Sequence, residues 1–548
     1  MAFEWESFGA FGGGLDFTKH PAALRADQWS WSDGWIARDG CAETATDLTL
    51  HATIPGLAST EQIIGLVQRV WGQDGAVVGV VNSAGTMASR LFTVTGAGTV
   101  TEITAAGGFN PLLGNQSAVF QSAFLGGQQV FNFGWFTSPL ATSLCGWTGG
   151  ATYTPIQNVS TGLQWHHLAG FQAHLIGAAG SWAGIVGVTE TGQRLVGWGP
   201  ANLATFDLPA VANDADFVVM DDVASGVVAL VPVGANLCAI FSRGAIHALV
   251  PTGGIPAFQR QLIAEGIGML HLRTSDVTST SFRSQAFWGR TPTGVAFASF
   301  DNLHLLGPGG LQPIGTPIFD YWSRGLYPTA TPTLAYHQTM SWHEALGVLY
   351  CPKPHDSAGA LARDVFLFDP AESAWSHIQW SAPSVPTGGH YLRSAFIHSY
   401  TAAGAMQRQL WVATRTGIYR EGGNAIANGV VDTKDFAFGS PARRARVNAL
   451  KVDWEPLSNA VTDAISVWAA ERDDLSRNQL GTVGRDTIVT WRQIGTLTGG
   501  ASELPCRLAG KFLRLRFRQE SGLARIRGFH INRDIASDKP KEGGTATP

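Results

Sequence analysis

From Gly65 to about residue 420 the chain repeats loosely, with a period of about 40–50 residues. Each repeat holds a few short apolar or alternating runs, split by Gly, Ser, Thr or Asn turns. Residues 118–124, 129–133, 140–147 and 152–156 make one such unit, and 285–288, 294–298, 303–306 and 311–314 make another. Runs of this length suit strands and are too short for stable helices. Four strands per period is what one blade of a β-propeller requires. The units match one another weakly, so the expected number is about six or seven blades, inside the usual range for the fold. A stacked array of β-sandwiches is the alternative packing.

Turn chemistry supports the same reading. The 66 glycines supply the positive φ that tight turns need. Gly146-Trp147-Thr148-Gly149-Gly150 precedes Tyr153-Thr154-Pro155-Ile156, and Phe368-Asp369-Pro370 precedes Ala374-Trp375-Ser376-His377-Ile378. Each is a strand, a polar turn and an aromatic returning on the next strand, placed to pack on a neighbouring blade. No long amphipathic helix interrupts the pattern, so the fold class is all-β.

The flanks differ from the repeats. Residues 1–60 read as an extended amino-terminal arm, with Gly12-Gly13-Gly14 as a flexible hinge and Trp29, Trp31 and Trp35 alternating with polar residues. The propeller is expected over 61–428, and a carboxyl-terminal β-sandwich over 429–535, built from runs at 447–454, 464–470, 487–494, 511–517 and 524–531. A polar tail, 536–548, follows. Acidic residues outnumber basic ones before about Val430 and the balance reverses after it, which suggests two units with different neighbours.

Only 14 % of the residues are charged, against about 25 % in a typical soluble domain. A surface with so few charges favours a subunit that hides much of itself in an assembly. A secreted β protein rich in Ser, Thr and Gly is the other reading. The five cysteines, Cys41, Cys145, Cys238, Cys351 and Cys506, are scattered and odd in number, with no C-x-x-C. They read as buried reduced thiols of a chain folded in a reducing cytoplasm, not as a disulfide framework or zinc site. The amino terminus lacks the basic and apolar regions of a signal peptide, and no apolar run approaches the roughly 18 residues of a membrane span. The expectation is a soluble protein with no stable membrane insertion.

No catalytic signature stands out, so the expectation is a protein that is not an enzyme and holds no cofactor or metal. His343-Glu344 begins like a zincin helix, but Gly347 stands where the second His belongs. His166-His167 would point to opposite faces of a strand. Asp221-Asp222 and Asp473-Asp474 are adjacent carboxylates with no sign of convergence across a cleft. The 19 Trp could stack sugars, but most sit where blade packing explains them.

One pattern points to contacts. Leu513, Leu515 and Phe517 alternate with Arg514, Arg516 and Arg518, and Arg525 and Arg527 flank Ile526. On a strand this gives one buried apolar face and one outward row of guanidiniums. These five arginines are the candidate assembly contacts, meeting carboxylates of a partner, with a solvated face as the plainer alternative. No aromatic–basic interleaving of an RNA-binding kind accompanies them.

A family resemblance runs through Ser225-Gly226-Val227-Val228-Ala229-Leu230, Ser242-Arg243-Gly244-Ala245-Ile246-His247, Gly266-Ile267-Gly268, Asp301-Asn302-Leu303-His304 and Gly309-Gly310-Leu311-Gln312-Pro313-Ile314-Gly315. This order resembles the propeller of the tail nozzle and packaged-DNA stabilisation proteins of short-tailed bacteriophages. Gly12-Gly13-Gly14-Leu15-Asp16 with Trp35-Ile36-Ala37-Arg38-Asp39-Gly40 is similar to the family's opening arm. Lys511-Phe512-Leu513-Arg514-Leu515-Arg516-Phe517 with Ile526-Arg527-Gly528-Phe529 is similar to its terminal sandwich. Arg38-Asp39-Gly40-Cys41 departs from the family's basic-Pro-Gly close.

The resemblance implies a virion protein made in the host cytoplasm and placed in the tail. It implies a ring-shaped homo-oligomer, a hexamer, set below the tail adaptor and anchoring fibre or needle proteins. Packaged DNA would be retained there and would pass through the channel at ejection, without sequence-specific binding. A host-surface or glycan-binding propeller and a propeller glycosidase are the rival readings.

Overall fold

The short runs between turn residues do form strands, and two residues of periodicity set which side chains enter each core. The computed structural model describes residues 3–19, 21–59, 61–70, 74–82, 90–106, 120–132, 144–156, 164–181, 191–202, 217–220, 227–270, 287–323, 340–353, 364–380, 394–402, 405–414, 417–437, 445–459, 461–472 and 490–534. Asp221-Asp222, Asp473-Asp474 and the polar tail lie outside them. Among the described residues, one α-helical turn, Phe319–Trp322, and one 3-10 turn, Pro21–Ala23, accompany the strands. The chain divides into two units, 48–363 with 382–421, and 1–47 with 364–381 and 422–548.

The first unit is a β-propeller. Its innermost strands are Glu61–Gln68, Gln121–Leu125, Gln164–Phe171, Ala229–Val233, Trp288–Thr291, Ser341–His343 and Ser394–Ala402. Each packs against the next blade, and the last packs back on the first, so the ring has seven members among the described residues. Blade 4 shows the plan, with Ala229–Val233, Leu237–Phe241, Ala245–Pro251 and Phe258–Glu265 pairing in sequence order, all antiparallel. Middle strands are covered on both faces and read as continuous apolar runs; in blade 5 all of Gly294–Ala298 is buried. The outermost strand of blade 4, Phe258–Glu265, is open and exposes four consecutive residues, whereas Ala374–Gln379, last in the sheet of blade 6, is buried at five of its six positions. Blades 1 and 2 are joined by a short parallel pairing of Thr152 and Tyr153 with Thr104 and Ala105.

Blade 7 is built differently. Ser394–Ala402, Ala405–Ala413 and Gly417–Ala425 run in order, and its fourth strand is Thr46–Thr53, from the far end of the sequence. Residues 48–53 therefore close the ring. Trp411, Ala413 and Ile418 of this blade share one core cluster with Ile63, Leu66, Val78, Val80, Phe92 and Val94 of blade 1, with Ala52 of the closing strand and with Ile54 just after it.

The second unit is a β-sandwich. One sheet orders Trp35–Arg38, Cys41–Thr44, Ala524–Asp534, Ala445–Pro456 and Glu503–Gly510, with Phe3–Gly9 also on Ala524–Asp534. The other orders Trp29–Asp33, Val430–Thr433, Phe512–Ser521, Ala464–Arg472 and Arg492–Thr498, with Phe436–Ala437 also on Phe512–Ser521. Phe11 meets Phe517 and Phe529 edge-on, each at 5.6 Å between ring centroids, and Phe8 stacks on Phe529 at 5.1 Å.

The amino-terminal segment is extended, and its strands are laid into sheets instead of standing free as an arm. Residues 364–381 also belong to this unit, although they fall inside the expected propeller span. The hairpin Asp364–Asp369/Ala374–Gln379 is tied in by Ala37 N–H donating to Ser376 Oγ at 2.7 Å and Leu15 N–H donating to the Trp375 carbonyl at 2.7 Å. Gly12-Gly13-Gly14 is no hinge. A Cβ at Gly12 would lie 2.4 Å from the Gly40 backbone, and Gly14, at φ +69°, sits against the Trp375 backbone. These glycines let two stretches of main chain touch.

Candidate functional site: the arginine ladder

The five candidate contacts sit in the sandwich unit. Phe512–Ser521 is an interior strand, flanked by Val430–Thr433 and Ala464–Arg472. Leu513, Leu515 and Phe517 are buried, as the alternation requires. The opposite face is not the open row that the alternation suggested.

Arg514 is 2 % exposed. Its Nε and Nη2 donate to the two oxygens of Asp435 at 2.8 and 2.9 Å, a bidentate pair with both side chains buried. Asp435 is held in turn by its own backbone N–H, which donates to the Pro21 carbonyl at 3.1 Å. Next to it, Lys434 Nζ donates to the Leu24 carbonyl at 2.6 Å. The amino-terminal segment and residues 434–435 thus roof the strand where an open face was expected.

Arg516 stands directly across from Asp432 in the ladder and makes a second bidentate pair, both bonds at 2.6 Å. Its guanidinium also lies 4.1 Å from the centre of the Trp491 ring, a cation–π contact. Arg518, further out, reaches Asn428 and lies 3.7 Å from Glu520. On the other sheet, Arg525 and Arg527 share Glu455, and Arg525 also binds Glu43. Burial alone would lower the Arg525 pKa; the Glu43 and Glu455 carboxylates outweigh it and raise it.

The expectation of an outward row therefore needs correction. Each of the five guanidiniums has an oxygen acceptor inside its own unit, and of the five only Arg527 is about half exposed. Sequence reasoning missed Asp432 and Asp435 as partners because alternation identifies a face and not the strand beside it.

The histidine motifs resolve into structural roles. His343 ends the first strand of the blade 6 hairpin. Its Nδ1 accepts from Leu346 N–H at 3.2 Å and its carbonyl accepts from Gly347 N–H at 2.8 Å, so 343–347 is a tight turn and not a zincin helix. Its Nε2 lies 3.2 Å from Glu421. His304 pairs with Asp301 at 3.1 Å in blade 5, and His398 with Asp74 at 2.7 Å across blades 7 and 1. Among the described residues no group of three or more His, Cys, Asp or Glu side chains is placed to hold a metal ion. Cys145, Cys238 and Cys351 are fully buried, and burial pushes Cys238 up to about 12.

Apolar side chains remain on the surface of both units. Ile255, at the tip of the hairpin before Phe258–Glu265, is 92 % exposed, and Leu262 on that strand is 51 % exposed. In the sandwich, Val461 is 81 % exposed on a loop pinned by the buried Asp463.

No family of known proteins matches the chain, and no curated protein matches it. Several solved structures resemble it distantly. The extracellular domain of the one-component system BT4673 of B. thetaiotaomicron aligns with a TM-score of 0.38 and 10 % identity, over 76 % of this chain and 45 % of that domain. The WD40 domain of Neurospora crassa Pan2 aligns at 0.36 and 8 %, over 69 % of this chain and 96 % of that one. A Mycobacterium tuberculosis puromycin-hydrolysing peptidase aligns at 0.37 and 10 %, over 71 % and 62 %. The chain thus spans under half the length of the sensor domain it matches, and likenesses this distant carry no argument about what it does.

Proposed function

We propose that the chain is a structural subunit of a bacteriophage tail, a nozzle-type ring protein that extends the tube, retains packaged DNA and lets it pass at ejection. The sequence resemblance described above carries this reading, since it spans the arm, blades 4 and 5 and the last strands in one order. Two features of the molecule support it. Charge is scarce, and the arginines that look available are paired within the sandwich. Apolar side chains such as Ile255, Leu262 and Val461 are left to solvent in an isolated subunit and suit contacts with further copies. The proposed partners are five more copies, the tail adaptor, and fibre or needle proteins, with DNA passing through without base contacts.

Mass photometry and negative-stain imaging of the purified protein test this reading. A ring of six is expected, alone or on addition of a tail adaptor. A protein that stays monomeric at up to about 100 μM, far above the Kd of a stable interface, and binds defined glycans would overturn it in favour of a receptor-binding propeller.

A further inference from the structure

The place where the propeller closes carries a cluster of titratable side chains that the proposed function does not use. Trp411 of blade 7 is buried, and two imidazoles lie against it, each with its ring centre 4.4 Å away: His398 from the innermost strand of the same blade and His51 from the closing strand. Both reach across the seam to blade 1. His51 Nε2 donates to the Thr95 carbonyl at 3.0 Å. His398 Nε2 faces two groups at once, the Gly75 backbone N–H at 2.9 Å and Asp74 Oδ1 at 2.7 Å.

Those two contacts need opposite states of Nε2: bare to accept from Gly75 N–H, protonated to donate to Asp74. A neutral His398 with its proton on Nδ1 accepts from Gly75 N–H through Nε2. A protonated His398 donates from Nε2 to Asp74, and Gly75 N–H loses its acceptor. Gly75 is held on its other side as well, its carbonyl accepting from Arg69 N–H at 3.2 Å. Starting from the Nδ1–H tautomer, proton uptake exchanges a backbone anchor on blade 1 for a bond to Asp74, whose side chain is half exposed.

We propose that this seam is an acid-opened latch, in which protonation of His398 and His51 loosens residues 48–53 and blade 7 from blade 1. Among the described residues, the charged groups that face the pair are few. The end of the first hairpin of blade 1 supplies Asp74, strand Gly417–Ala425 supplies Arg420, and the two histidines face each other. Residues 95–99 offer no charge, and strand Ala405–Ala413 offers the Trp411 indole and Arg408, which is paired with Glu344 at 2.9 Å. At neutral pH one cation, Arg420, stands with one anion, Asp74. With both imidazoles protonated, three cations surround a buried indole with the same single anion. Burial is the largest influence on each histidine and lowers both pKa values below the usual 6.5, against the opposing pull of Asp74 and, at His51, of the Thr95 carbonyl. The sign follows. The open state binds protons that the closed seam resists, so closure is strongest above about pH 6.5 and weakens as pH falls through and below it.

Hydrogen exchange of the full chain, at about pH 7.5 and about pH 5 and corrected for intrinsic rates, tests the latch. About tenfold greater opening is expected at the lower pH for amides of 48–53 and 76–80, with Leu237–Phe241 of blade 4 unchanged. Unchanged protection at the seam, or an equal loss around the whole ring, would overturn the proposal. In His398→Gln the amide oxygen can still accept from Gly75 but cannot titrate, and the acid response of the seam should shrink. In Asp74→Asn, opening should move to lower pH. Retention of the full response in both variants would count against His398 as the trigger, and wild-type exchange alone decides the matter if neither variant folds.

Discussion

Arg514→Met is the most informative single change in the sandwich. It removes one partner of a bidentate pair in which both side chains are buried, and leaves the Asp435 carboxylate without its cation under the roof formed by the amino-terminal segment. Breaking such a pair from one side costs about 3–5 kcal/mol, because the surviving charge keeps its desolvation penalty and loses its compensation. Arg518→Gln is the control. Its side chain is 35 % exposed beside Glu520, and an ion pair in that setting contributes about 0–1 kcal/mol. The double variant Arg514→Met/Asp435→Leu removes both charges and should recover most of the loss, since apolar replacement of a whole buried pair is often near neutral. Urea melts followed by tryptophan fluorescence read the difference, with the transition of the sandwich distinguished from that of the propeller. Replacing Arg514, Arg516 and Arg518 together with Gln should unfold the sandwich, not merely weaken an assembly. If Arg514→Met costs less than about 1 kcal/mol, or the double variant is no better than the single, the buried-pair account is wrong.

Other expectations rest on separate features. Labelling of the native protein with a thiol reagent should modify Cys41 first, because it is partly exposed while the other four cysteines are buried; burial raises the pKa of all five thiols, Cys506 to about 11, so access decides, and rapid labelling of Cys238 would contradict the packing of blade 4. Asp463 holds its loop by accepting from Ser458 and Asn459 N–H at 2.9 and 2.8 Å; burial would raise its pKa, but these bonds outweigh it and the net shift is below 3.8. Its stabilising contribution is therefore present above about pH 3.8 and lost as pH falls further, and Asp463→Ala should cost about 1–3 kcal/mol at neutral pH and progressively less in acid; an acid-independent difference in melts would refute this.

The blades were legible because each is local. Strand, turn and strand are neighbours in sequence, and turn glycines such as Gly310 at φ +94° and Gly347 at φ +69° sit where alternating runs stop. The closing strand was not legible. Residues 48–53 pair with a partner more than 360 positions away, and nothing in a short alternating run specifies a distant neighbour. The hairpin 364–379 shows the same limit. Its strands continue one four-stranded sheet with Ser341–His343 and Val348–Pro352, as the sequence unit marks them; what was not legible is that the hairpin also bonds to Ala37 and Leu15, contacts that cross more than 300 positions.

The arginine ladder shows why a correct local reading still overstated how open the arginine face is. Alternation correctly put Leu513, Leu515 and Phe517 in the core and left the arginines on the other face. The inference from that face to solvent holds only for a sheet with one open side. Here the second side is closed at one end and opens gradually: side-chain exposure is 2 % at Arg514, 12 % at Arg516 and 35 % at Arg518. The acceptors follow the same gradient, from a buried bidentate carboxylate, through a carboxylate backed by an aromatic ring, to an amide and a half-exposed glutamate. A cue did lie in the sequence, in Asp432 and Asp435, three positions apart on a run flanked by Val430, Val431, Phe436 and Ala437. Carboxylates are rarely buried unpaired, so their presence in such a run demands cations on whichever strand lies alongside. Arg514 and Arg516, spaced by one strand period, meet that demand on a strand that backbone ladders flank on both sides.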